Sequence, residues 1–267
     1  VYTAYTLGTT IFLITFAGVL TDWLGIRRSL FVALGGETVS RVIIVYAALN
    51  PDMPYRTEMV WVGFVLMGPF VAMLQTSFQA ANKRFTTAHS RSAGFNLWYV
   101  FMNVGAAAGG FLIDLVRKVL HWNNAHVFTI GAVVGIVCIG FTAVLVRRED
   151  QLYGDDEDPE PAPSAENPKK KPWTMLLDVI ATSAFWRFMV LATAVVGVRA
   201  VFLYLHLLLP KYWLRVIGKD AAIGTLGAIN PILVIIGLIM LIPLLKRFKV
   251  YDMLVYGAMI SAASMFV

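Results

Sequence analysis

The chain has 267 residues, 58% of them hydrophobic and 14% charged, with a mean hydropathy of +0.72. A soluble domain of this length is near half apolar and about a quarter charged, so the composition excludes a soluble globular protein, a disordered chain and a nucleic-acid-binding domain. The formal charge of +6 and the single cysteine, Cys138 in an apolar run, point to a multi-pass membrane protein with basic turns and no disulfide framework.

A helix needs about 20 mostly apolar residues to cross the hydrocarbon layer. Eight runs qualify: 1–20, 29–49, 59–81, 95–116, 126–146, 185–209, 222–245 and 251–267. None alternates with the period of a barrel strand, so the predicted class is all-α. The first and last runs are cut short by the ends of the chain, which reads as an internal fragment. The turns at 21–28, 82–94 and 246–250 and the linker after the fifth run hold thirteen basic residues, and the opposite turns hold six. That asymmetry places the first set in the cytoplasm.

The first turn reads Gly18-Val-Leu-Thr-Asp22-Trp23-Leu-Gly25-Ile-Arg27-Arg28. Glycine suits a short turn between antiparallel spans, the acid suits a helix start, and the arginines suit acids or lipid phosphates. In the next run Glu37 and Arg41 lie four apart on one face, where they neutralise each other. Two readings stand for them: a proton or substrate relay facing a cavity, and a self-compensated pair that only fixes packing. Gln75 and Gln79 share a face of the third run, and Asn103 lies one turn from Tyr99 in the fourth. With Tyr204 and Asn230 they are candidates to line a polar cavity. The alternative for the amides is helix glue, worth about 0.6 kcal/mol each. The small-residue run Gly105-Ala-Ala-Ala-Gly109-Gly110 permits close helix approach.

Asp114 stands three residues before Arg117 near the outer end of its span, where a local ion pair is favoured over proton transfer. Residues 148–172 then break the pattern, with five prolines, eight acids and a Lys169–Lys171 triplet. Such a stretch cannot bury enough apolar surface to fold alone, so it reads as a solvated cytoplasmic tether. It divides the chain into a five-span bundle, 1–147, and the start of a second bundle, 173–267. Arg199 sits mid-span in 185–209 without a local partner, which favours a role with an anionic substrate group or a distant acid. His206, one turn from Pro210, is either an interfacial side chain or a group that titrates near neutral pH. Pro231 and Pro243 bracket 222–245 and predict a bent helix.

The first turn resembles the cytoplasmic-loop signature of the major facilitator superfamily, Gly-x-x-x-Asp-[Arg/Lys]-x-Gly-[Arg/Lys]-[Arg/Lys]. Gly18, Asp22 and Gly25 match in spacing, Trp23 replaces a basic residue, and Arg27 and Arg28 come one place late. In that superfamily the loop joins the second and third of twelve spans and latches the halves in the outward-facing state. The resemblance therefore implies spans two to nine of a major-facilitator-type helical bundle with two pseudo-symmetric halves. The charged linker then falls at the central loop, and Lys246-Arg247-Phe-Lys249 falls at the repeat of the first turn. Phe95-Asn-Leu-Trp98-Tyr99-Val-Phe-Met-Asn103-Val-Gly105 and Ala228-Ile-Asn230-Pro231 are similar to fifth- and eighth-span signatures of the proton-coupled oligopeptide transporters. Arg199 stands where that family has an acid.

The chain has no His-Glu-x-x-His, Gly-x-Ser-x-Gly, Walker loop or His/Cys metal spacing, so neither an enzyme nor a cofactor is expected. The expected function is secondary transport of a small organic solute by alternating access in a plasma or inner membrane. Glu37, Asp114 and His206 motivate coupling to H⁺, and the partners are then the lipid bilayer, the solute and the proton. A receptor or scaffold on the same fold, signalling through the acidic linker, is the alternative.

Overall fold

The computed structural model describes the backbone of residues 2–87, 90–148, 172–218, 220–245 and 250–263. Among these residues the ordered elements are all helical, as a chain in lipid requires: with no water to satisfy N–H and C=O groups, each segment bonds to itself. The helices are α1 (Tyr2–Phe12), α2 (Gly18–Leu24), α3 (Ile26–Leu49), α4 (Arg56–Phe85), α5 (Arg91–Asp114), α6 (Ala125–Leu145), α7 (Pro172–Ile180), α8 (Ser183–Val216), α9 (Ile223–Leu245) and α10 (Val250–Ala263). A π-helical turn, Leu13–Ala17, joins α1 to α2, and another, Leu115–Val119, extends α5.

Where described, the apolar runs read from the sequence fall on helical segments, the first of them spread over α1, a π-helical turn and α2. Five helices among the described residues are long and apolar enough to cross a membrane: Ile26–Leu49, Arg56–Phe85, Ala93–Val119, Ala125–Leu145 and Ile223–Met240. The 24 residues of α3 make a rod of roughly 36 Å, longer than the hydrocarbon layer. The short helix α7 was not expected, because nine residues are too few to span. It begins at Pro172, where proline's fixed φ suits a first helical turn. The remainder of the linker, 149–171, and the basic turn at 246–249 lie outside the described residues.

The described chain forms two compact units, residues 1–95 with 122–181 and residues 96–121 with 182–267. In the first, α3 packs on both α4 and α6, and α1 packs on α4. Ile26 apart, the fully buried positions described there are small: Ala17, Ala33, Ala47, Ala72, Thr21, Ser29, Ser40 and Ser77. Lipid tails are as apolar as leucine, so helices associate through close van der Waals contact, which small side chains permit. Larger side chains such as Val134, Ile136, Phe141 and Val144 of α6 point outward, as a lipid solvent allows. Hydroxyls inside the helices back-bond to carbonyls four residues earlier, as in Thr21 to Ala17, Ser40 to Gly36 and Ser77 to Met73. In the second unit, α8 packs against α9 and α10, while Gly110 of α5 lies against Gly224 and Ala228 of α9.

Two arginines close helix ends in the first unit. Arg27 Nε donates to the Val146 carbonyl at 2.8 Å, just past the C-terminus of α6, and its guanidinium lies 5.1 Å from the Phe31 ring centre. Arg56 donates to the Ala47 and Ala48 carbonyls at the end of α3, at 3.0 and 3.2 Å. A cation at a helix C-terminus meets both orphan carbonyls and the negative end of the helix dipole.

Candidate functional site

Glu37 and Arg41 form an ion pair on α3, Arg41 Nη2 donating to Glu37 Oε1. Their side chains are 15% and 31% exposed, so the pair is largely withdrawn into the first unit. It is seated on α6. Arg41 Nη1 occupies the place that a Cβ on Gly131 would need, and the Thr38 hydroxyl does the same at Gly135. Glycines four apart cut a groove along one face of a helix, and here the groove takes the polar face of α3. The Thr38 Oγ1 atom inside it is buried without a hydrogen-bond partner. On the other side of α3, Gly63 of α4 makes room for Ile44, and Gly36 sits under the Phe70 ring. Helix α3 is therefore packed on two sides, with the Arg41 guanidinium against α6.

The turn between α2 and α3 is built on Gly25, at φ 82° and ψ 158°. That region of backbone space is essentially reserved for glycine, since a Cβ collides there. The Gly25 N–H donates to the Thr21 carbonyl at 2.9 Å, and the Gly25 carbonyl accepts from Ser29 at 3.1 Å. The chain thus reverses in a single residue and brings Arg27 to α6. Of the other motif residues, Asp22 and Arg28 are exposed, and nothing packs where a Cβ on Gly18 would stand.

In the second unit, Asp114 does not pair with Arg117 as expected. Its carboxylate, 7% exposed, accepts three hydrogen bonds from the first turn of α9: Gly224 N–H at 3.1 Å, Thr225 N–H at 2.7 Å and Thr225 Oγ1 at 2.7 Å. A π-helical turn, Leu115–Val119, follows Asp114 and contains Arg117. Asp114 instead serves as an N-cap supplied from another helix, where the orphan N–H groups and the positive helix end both favour a carboxylate.

A family model, that of the Major Facilitator Superfamily, matches residues 1–267. The chain belongs to the Major Facilitator Superfamily. The helices described above are those of a membrane transporter family, and the agreement stands at the level of the superfamily rather than its oligopeptide branch. No curated protein and no solved structure matches the chain significantly.

The remaining candidate residues of this superfamily member divide by position. Gln75 and Gln79 are exposed on α4, and Asn230 is exposed on α9. Tyr99 is half-buried, and Asn103 is buried with its amide donating to the Tyr99 carbonyl at 2.8 Å, inside its own helix. Arg199, Tyr204 and His206 belong to α8, but their side chains lie outside the described ones. The structure brings Glu37 to Arg41 and Asp114 to Thr225. Sequence reasoning missed Gly131, Gly135, Gly224 and Thr225. The four-residue spacing of Gly131 and Gly135 was a usable signal, whereas nothing local marks Thr225 as a partner of Asp114.

Proposed function

We propose that this transporter is a secondary active carrier that moves a small organic solute by alternating access and couples that movement to protons. One observation carries the coupling: an ion pair on a membrane-spanning helix, held in a glycine groove rather than at a helix end. A charge at that depth costs about 2.5–3.5 kcal/mol on insertion scales, and a pair lessens the cost only while both members stay charged. When Glu37 takes up a proton, it no longer neutralises Arg41, and the guanidinium is released for an anionic group of the solute. Loss of the proton restores the pair and expels the solute. Arg199, midway along α8, is the second cation assigned to the solute's anionic group. The basic turns and the linker lie on the cytoplasmic side of a plasma or inner membrane, in accord with thirteen basic residues against six.

The test is uptake into proteoliposomes by the full-length protein, with solutes chosen by thermal-shift screening, since a ligand of the folded state raises its stability. Uptake is expected to follow an imposed pH gradient. Glu37→Gln is expected to abolish gradient-driven accumulation while leaving solute exchange at zero gradient. Uptake indifferent to both the pH gradient and the membrane potential sinks the coupling. Intact transport in Arg199→Ala removes that residue from the solute site.

A further inference from the structure

The guanidinium of Arg41 reaches two places at once. Nη2 donates to Glu37 on its own helix, and Nη1 fills the space over Gly131 of α6. These nitrogens are limbs of one rigid plane, so whatever fixes one limb fixes the other. A Cβ built on Gly131 would overlap Nη1 and stand 3.2 and 3.5 Å from Cζ and Cδ of the same side chain. The whole end group would have to move, and Nη2 would leave Glu37 with it. That movement costs little packing, because the Arg41 side chain is long, rotatable and 31% exposed.

One turn along α6, Gly135 meets α3 differently. A Cβ there would overlap Oγ1 of Thr38 and lie 3.5 and 3.7 Å from its Cβ and Cγ2. Thr38 is 8% exposed and β-branched, with a stiff χ1 and no length to swing, so a methyl at Gly135 would push α3 off α6. Its hydroxyl has no hydrogen-bond partner, so no polar contact is lost with it. The two glycines look alike in sequence, yet one abuts a charge and the other a short, rigid side chain.

We infer that Gly131 is a positioning residue of the coupling pair: by lacking a Cβ it holds the Arg41 guanidinium on Glu37, whereas Gly135 serves the packing of α3 on α6. The inference deepens the coupling reading above, and its consequence for uptake rests on that reading. With Gly131 replaced, Arg41 is released whether or not Glu37 carries a proton, and binding of the solute's anionic group no longer requires one. Transport then continues without following the proton.

The test is a pair of double-mutant cycles on the full-length protein, read first by thermal unfolding in detergent. Gly131→Ala is expected to lower Tm by about 3 °C in the parent and by less than about 1 °C in Glu37→Gln, where the guanidinium is already unpaired. It should be equally mild in Arg41→Lys, whose single ammonium pairs with Glu37 but has no second limb to reach α6. Gly135→Ala is expected to cost about 3–6 °C in each of these backgrounds alike. In proteoliposomes, the ratio of gradient-driven accumulation to zero-gradient exchange should fall about tenfold in Gly131→Ala and far less in Gly135→Ala. A Gly131→Ala cost that is the same in every background overturns the inference, as does decoupling by Gly135→Ala to the same degree. If Gly131→Ala alone does not fold, its folding in the Arg41→Lys background supports the inference, and its failure there overturns it. Full coupling in Gly131→Ala beside lost coupling in Glu37→Gln also overturns it. Full coupling in Glu37→Gln instead refutes the coupling reading, and the unfolding cycles then decide the placement of Arg41 by themselves.

Discussion

Two carboxylates inside the spans meet opposite solutions to the same problem. Glu37 is neutralised within its own helix by Arg41, one turn away, and the pair is then pressed into a glycine groove of α6. Asp114 has Arg117 nearby in sequence yet takes its partners from the backbone of α9, more than a hundred residues on. The first arrangement satisfies the charge within its own helix, and the second satisfies it from another helix.

The comparison is most strongly tested by Glu37→Gln. Removing one member strands the Arg41 guanidinium in the span, and we expect a loss of about 2–3 kcal/mol in stability, read by thermal unfolding in detergent, together with loss of proton-driven uptake. The double variant Glu37→Gln/Arg41→Gln should regain most of that stability without regaining coupling. Recovery of both would reduce the pair to packing. Next in size is Gly224→Ala, which drives a methyl into the Gly110 carbonyl and should cost about 1–3 kcal/mol. The same substitution at Gly227, where a Cβ meets open space, should be near neutral in the same unfolding assay.

A smaller effect is expected from Arg27→Ala. It removes one hydrogen bond to Val146 and a cation over Phe31, about 1–2 kcal/mol together, and should increase amide exchange at the end of α6. Exchange confined to the α2–α3 turn would show that this arginine acts locally rather than across helices. The least effect belongs to Asn103→Ala, below about 0.6 kcal/mol, because its amide donates within α5. A large loss of uptake without loss of stability would move Asn103 from packing to the solute path.

Much of the fold was legible before any coordinates, because the lipid solvent leaves a chain few options. Apolar runs of span length had to be helices, and the turn Gly18–Arg28 named the superfamily that residues 1–267 match. Gly25 was legible for a local reason as well, since a one-residue reversal demands its positive φ. The site was legible only where partners lie on one helix face. Glu37 and Arg41 sit four apart, and helical geometry alone brings them together. Asn103 and Tyr99 obey the same rule, the Asn103 amide donating to the Tyr99 carbonyl.

Sequence by itself therefore determined the solvent, the helices and the pairing of Glu37 with Arg41, since these follow from hydropathy and a fixed 3.6-residue period. The tertiary structure decided which helix faces meet. It set Arg41 against Gly131, carried Arg27 to the end of α6, and gave Asp114 to Thr225 instead of Arg117. The last choice lies next to a π-helical turn, Leu115–Val119, where the regular helical period is interrupted. A local pattern rule assumes an unbroken period, and at Leu115 the period breaks.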